Sequence, residues 1–446
     1  MNYIPVNSKD KEEMLSAIGV KSTEELLALQ IPEILRAKKL NLSEGLSEQE
    51  VISLFKKYAK QNQANLACFR GAGIYDHFVP SVVDEITGRS EFSTAYTPYQ
   101  AEASQGTLQA IFEYQSVMCE LTGLDCTNAS MYDGATVVAE AVLLAVRASR
   151  KNKVVISSAI NSQYISVVKT YIQNLNAELI FVDIDEKTGS ISSKILEQKL
   201  ADDVAAVVVQ SPNFYGVIED MEELSKTAKT KNCLFVAVVN PASLGILKSP
   251  GEYGADIAVG EGQVFGNKMY LGGSTFGFMS VTKALEWKMP GRIVGQTVDK
   301  NGKRGFVLTL QSREQHIRRE KATSNICTNA ALNSFAGCVY LATLGAKGIK
   351  ELAQANISKA RYAYNKIKNI KGFEPLFSNA VFFNEFVFKT TKNIIDIDKA
   401  LLKENILGPL PLNLVDEKYK DCVMFAVTEN RTKEEIDKLA DILNRV

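Results

Sequence analysis

Between residues 153 and 280 short β-rich runs alternate with helical stretches, and this alternation constrains the fold more than any other feature of the chain. The runs lie at 154–156, 179–182, 204–209, 234–239, 256–259 and 275–279, with helical patterns between several of them, as over 218–231. Val-, Ile- and Leu-rich strands separated by helices pair as a mostly parallel sheet, because a parallel neighbour is reached only through a long crossover. The expected fold class is α/β, with a doubly wound sheet. Ligands of such sheets collect at the carboxyl ends of the strands. Chemistry is therefore expected in the loops after Gln210, Asn240 and Val259.

Just before this region, residues 128–147 read NASMYDGATVVAEAVLLAVR. The Asp133-Gly134 turn leads into a helix that places Val137, Val138, Ala141, Val142 and Ala145 at helical spacing. The first amides of a helix have no partner within it, and glycine lets a neighbour approach the backbone closely. Such an end suits an anion, which in many α/β enzymes is a cofactor phosphate. An ordinary capped helix leaves the same signature, so both readings stand at this point.

Helix-start patterns at Ser8, Ser22 and Ser47 give residues 1–67 the character of a helical arm with too little apolar content to fold alone. From Cys68 to Gly106 glycines and aromatics crowd together without periodicity, which marks a functional surface or long loop. A helix resumes over 108–121. Residues 331–370 read as two helices, followed by strands near 382–388 and 422–427, a helix near 397–404 and a last helix from Thr432. The expected domains are the arm 1–67, a large α/β domain 68–330 and a small C-terminal α+β domain 331–446.

Fifty-one basic residues balance fifty-one acidic ones in 446 residues, with no basic block. Nucleic acid and an anionic membrane are thus poor partners. No apolar run approaches a membrane span. The first fifteen residues, MNYIPVNSKDKEEML, lack the apolar core of a signal peptide, so the expected location is the cytoplasm. Seven cysteines without a Cys-x-x-Cys pair, and only His77 and His316 as imidazoles, argue against zinc and against a disulfide framework.

Four long segments carry a resemblance. They are EFSTAYTPYQAEASQGTLQAIFEYQSVMCELTGLD at 91–125, SMYDGATVVAEA at 130–141, VGEGQVFGNKMYLGGSTFGFMS at 259–280 and GFVLTLQSREQHIRREKATSNICTNAAL at 305–332. Together they resemble the glycine decarboxylase P proteins of the glycine cleavage system, and more narrowly the first (alpha) of the two chains into which some organisms split that protein. The resemblance runs along the whole chain. It implies the pyridoxal phosphate (PLP)-dependent transferase fold of type I, with an N-terminal arm, a large α/β domain and a small C-terminal domain. It implies a part in decarboxylating glycine with PLP, releasing CO2 and passing the aminomethyl group to the lipoyl arm of the H protein. It also implies a partner, glycine dehydrogenase subunit 2 (the beta chain), in an α2β2 assembly in which that partner holds PLP on its lysine.

The residues themselves test whether this chain could hold PLP. Such chemistry needs a lysine to form the imine, an acid opposite the pyridinium nitrogen and amides around the phosphate. The strand over 234–239 ends in Asn240, whose neutral amide cannot charge-pair with a pyridinium. The lysine expected near 263–264 is replaced by Gln263 and Val264. Lys268 is the one substitute nearby. The expectation is a chain that completes an active site whose PLP belongs to its partner. Two other readings are an independent aminotransferase-like PLP enzyme using Lys268, and a purely structural subunit.

Candidates for direct action are Tyr96, Tyr99 and Glu102, on a loop that the resemblance places near the glycine site at a subunit boundary, where tyrosines also serve as plain interface packing. His77 is a candidate acid or base, or a satisfied interface histidine. Ser130, Tyr132, Asp133 and Gly134 match the phosphate-side loop and are either weak cofactor contacts or vestigial. Arg313, His316 and Arg319 could form a fork for a substrate carboxylate or a partner's acidic patch, or a solvated helix face. Gly272-Gly273 is expected to mark a tight turn or a close approach of two chain segments.

Overall fold

A computed structural model describes residues 5–37, 41–94, 96–270 and 275–446. It divides into two compact units, Met1–Ala64 and Asn65–Val446. The Gly272-Gly273 turn lies outside the described residues.

The first unit carries helices α1 (Ser8–Ile18), α2 (Thr23–Gln30) and α3 (Glu48–Ala59). Their starts are set by side chains that accept otherwise unpaired amides: Asn7 from Asp10, Ser22 from Glu25 and Ser47 from Glu50. None of the three helices buries a residue, and Val20 is the one buried apolar side chain among the described residues of this unit.

The second unit is built on a seven-stranded sheet. Its strands in chain order are β1 (Cys126–Thr127), β2 (Lys153–Ser157), β3 (Glu178–Val182), β4 (Val204–Ser211), β5 (Leu234–Val239), β6 (Ile257–Glu261) and β7 (Gly277–Val281). Their spatial order is β1-β7-β6-β5-β4-β2-β3. The run from β3 to β6 is parallel, and β7 returns antiparallel to β6 and β1. All six sequence-expected runs are strands.

Alternation within those strands makes the sheet a two-sided core. Val154, Ile156, Val208, Val236 and Val238 pack on one face with Val137, Val138, Ala141 and Val142 of α5 (Gly134–Ser149), which follows α4 (Gln105–Thr122) in the chain. Val155, Val207, Val209, Phe235 and Ala237 face the other way, toward Tyr114 and Met118 of α4 and Leu224 of the helix Met221–Lys229. With period two, each strand serves both layers.

A hairpin that the sequence reading did not anticipate, β8 (Ile293–Val298) and β9 (Arg304–Thr309), packs on α4 through Phe306 and Leu308. Its turn holds Asn301-Gly302, with Gly302 at φ 78°, a sequence signal for hairpins. The long helix α6 (Ala331–Lys368) is broken at Gly345, φ 62°, so two helices run there as expected. A four-stranded antiparallel sheet follows, with Glu385–Thr390 and Cys422–Ala426 at its centre. The first of these begins three residues later than expected. Phe382 and Phe383 bond instead to Val217 and Gly216 of the loop after β4.

Candidate active site

The start of α5 is capped from within the chain. Asp133 caps the helix, its carboxylate accepting from the Thr136 amide at 2.8 Å. The next free amide, that of Gly134, donates to a carboxylate of the same chain, Glu261 at the end of β6, at 2.9 Å. Glu261 also accepts from the amides of Gln263 at 2.9 Å and Phe276 at 3.1 Å. Burial pushes its carboxyl up to about 7 while those three amides pull it down. A Cβ at position 134 would collide with the Tyr164 hydroxyl. The helix end is thus closed by an internal acid and a phenol.

The turn where a lysine is needed is closed as well. Gln263 accepts from the Tyr75 amide at 3.0 Å and donates to the Tyr75 carbonyl at 3.0 Å and the Asn267 carbonyl at 2.7 Å. Two of these bonds pin the backbone of Tyr75 and the third ties Gln263 to its own turn. The same loop is held from the other side by Glu385, which accepts from the Ala72 amide and the Tyr75 hydroxyl, both at 2.7 Å. Burial raises the Glu385 carboxyl to about 7. Asn240 turns back to cap its own loop, accepting from Ala242 at 3.1 Å.

The cavity left among Gly73, Tyr75, Tyr164, Gln210, Asn240 and Glu261 measures about 30 Å³, room for about two waters. Cofactor pockets run to several hundred Å³. PLP does not fit this chain: the amide end is taken, no amine or acid stands in place, and the volume is absent. Lys268 does not substitute, since its side chain is 45% exposed and ion-paired to Asp84.

The tyrosine loop lies elsewhere, and two groups of sequence candidates meet there. Tyr96 is 81% exposed and Tyr99 52%, with Glu102 also at the surface. The Tyr99 hydroxyl accepts from Nη2 of Arg292 at 2.9 Å, and the same guanidinium lies 5.3 Å from the ring centroid. His316 sets its ring edge-on to Tyr99 at 5.9 Å and its Nδ1 3.7 Å from Glu314. Glu314 is buried and lies 3.9 Å from Arg292. Asn329 continues the chain of contacts, accepting from Arg292 at 3.4 Å and donating to the Ser130 hydroxyl at 2.9 Å. Ser130 is fully buried in a left-handed backbone, φ 132°. Tyr132 is partly exposed, and its carbonyl accepts from the Thr275 hydroxyl.

The fork expected from Arg313, His316 and Arg319 does not form. The helix there is only Gln315–Arg318. Arg313 sits before it, buried and donating to the Met289 carbonyl, with burial lowering its pKa. Arg319 leaves on the other side at φ 53° and lines an open cleft with Glu140 and Arg147. His77 is remote from this patch in its bonding. It is buried and bonds Glu429 at 2.7 Å.

Sequence reasoning missed Arg292 and Glu261. Glu261 ends an apolar strand, the same signal that drew attention to Asn240. Arg292 follows Pro290-Gly291, a turn signal that fixes the entry to β8.

The glycine cleavage system P-protein family model matches residues 1–443. A chain of Endomicrobium trichonymphae named probable glycine dehydrogenase (decarboxylating) subunit 1 is 62% identical over 443 residues, covering 99% of both chains. One of Carboxydothermus hydrogenoformans with the same name is 51% identical over 446 residues, again with 99% coverage of each. The crystal structure of a glycine decarboxylase (P-protein) in inhibitor-bound form superposes with a TM-score of 0.87 at 41% identity, over 100% of both chains. The architecture is that of PLP-dependent enzymes of fold type I. By full-length match, identity and shape, this chain belongs to the glycine cleavage system P-protein family.

Proposed function

We propose that this chain is the cofactor-free subunit of a two-chain glycine dehydrogenase (decarboxylating) and completes an active site held by its partner. The partner, glycine dehydrogenase subunit 2, carries PLP and its lysine in an α2β2 assembly in the cytoplasm. The complex takes CO2 from glycine and passes the aminomethyl group to the lipoyl arm of the H protein. The observation that carries this reading is the closure of the pocket at Glu261, Gln263 and Tyr164, set against family membership and an outward-facing tyrosine loop. What this chain contributes is a surface of hydroxyl donors and aromatic cover, from Tyr96 and Tyr99, that excludes water and orients a small polar substrate.

Two measurements test the reading. The chain purified alone with PLP gives no visible-range band; a band that borohydride fixes onto Lys268 would overturn it in favour of an independent enzyme. In the reconstituted complex, Tyr96→Ala, Tyr99→Ala and Glu102→Ala together leave assembly intact and depress glycine–bicarbonate exchange. Unchanged exchange would make the chain a purely structural subunit.

A further inference from the structure

We infer that Arg292 is a positioning residue for the glycine reaction and acts by fixing the Tyr99 hydroxyl; the inference rests on the reading above, in which the tyrosine loop faces the partner's active site. Arg292 is 4% exposed, yet its Nη2 reaches a phenol on a residue that is half in solvent. The backbone that delivers it is fastened twice. Its carbonyl accepts from Ala129 at 2.8 Å, and the carbonyl of Pro290 accepts from the Asn128 side chain at 3.1 Å. Gly291, at φ 80°, supplies the left-handed turn this path requires.

The charges around it are arranged at a cost. Arg292 and Arg313 are both buried, and Glu314 is the carboxylate beside them. Nε of Arg292, Nε and Nη2 of Arg313 and Oε1 of Glu314 make no hydrogen bond among the described residues. A buried cation with incomplete pairing destabilises a fold that apolar side chains could serve equally well. The return is one fixed phenol. Because the guanidinium can only donate, the Tyr99 oxygen accepts from it. The Tyr99 O–H proton is then left to point away from Arg292, toward the exposed side, as a donor held in place before any substrate arrives. Preset donors of this kind act where the reacting geometry must be met without reorganisation.

The test uses the complex reconstituted from this chain and its partner subunit, with glycine–bicarbonate exchange as the readout for Y99F, R292Q and the double variant. Each single variant lowers kcat/KM about tenfold, the scale of one lost positioned contact. The double variant is no lower than the weaker single variant, because both changes remove one interaction. If Y99F loses activity but R292Q does not, or if the two losses multiply, Arg292 does not act through Tyr99 and only this inference falls. If Y99F is unchanged, the Tyr99 hydroxyl does not serve the reaction and this inference falls; the underlying reading falls only if the triple Ala variant of Tyr96, Tyr99 and Glu102 is unchanged as well. R292M keeps an unbranched stem but has no N–H to give Tyr99. Should R292Q fail to assemble, R292M takes its place beside Y99F, and equal, non-multiplying losses support the inference while an unaffected R292M overturns it.

Discussion

The carboxylate of Glu261 bonds the first free amide of the α5 helix, that of Gly134, at 2.9 Å. The two residues are 127 positions apart in the chain, and their contact satisfies from within the protein an amide that a helix end otherwise leaves free. The consequences can be measured.

An amine introduced at position 263 is not expected to confer cofactor binding by itself. Gln263→Lys with PLP is expected to give no visible-range band by absorption spectroscopy, since Glu261 still occupies the helix end and the cavity remains about 30 Å³. Gln263→Ala strips partners from both backbone groups of Tyr75. It should cost about 3 kcal/mol, seen as a lower urea midpoint.

Gly134→Ala places a methyl group against the Tyr164 hydroxyl and close to Glu261. Overpacking of this kind costs about 1–3 kcal/mol. Tyr164→Phe in the same background should return part of it, because it removes the nearest colliding atom. Additive losses in a double-mutant cycle would contradict the contact.

Glu385 makes stability fall as pH rises. Its folded pKa is raised from 4.5 to about 7, chiefly by burial. The stability it contributes is fully present below pH 4.5 and is lost as pH climbs through 7. Glu385→Gln keeps an acceptor for Ala72 and cannot ionise. Its stability relative to the parent should therefore grow between pH 5 and pH 7.5, by on the order of 2 kcal/mol. Denaturant midpoints across that range supply the measurement, and parallel curves for the two proteins would refute it.

Ser324→Ala removes the hydroxyl that donates to Glu140 at 2.7 Å. Glu140 is buried on α5, and burial already raises its pKa. The loss should be about 1–3 kcal/mol. Glu140→Gln in that background recovers part of it by removing the charge. Thermal denaturation of the four proteins closes the cycle.

The residue types alone settled much of this protein. Short, near-continuous apolar runs placed all six strands between 153 and 281, because burial on both faces leaves that pattern in the chain. Asn240, Gln263 and Val264 carried the expectation that this chain lacks the acid and the amine, since none of these side chains can replace either. Helix starts at Ser47 and Asp133 were legible because a cap acts within three residues. The hairpin after Ile293 carried its Asn-Gly signal but no expectation drew on it. Only the tertiary structure decided that Glu261 closes the helix end, that Gln263 grips Tyr75 188 positions away, and that Arg292 joins the tyrosine loop to Asn329 and Ser130. It also parted Arg313 from Arg319, which shared one stretch of sequence but turn to opposite environments. Such partners are chosen by packing across the whole sheet, and local spacing holds no record of them.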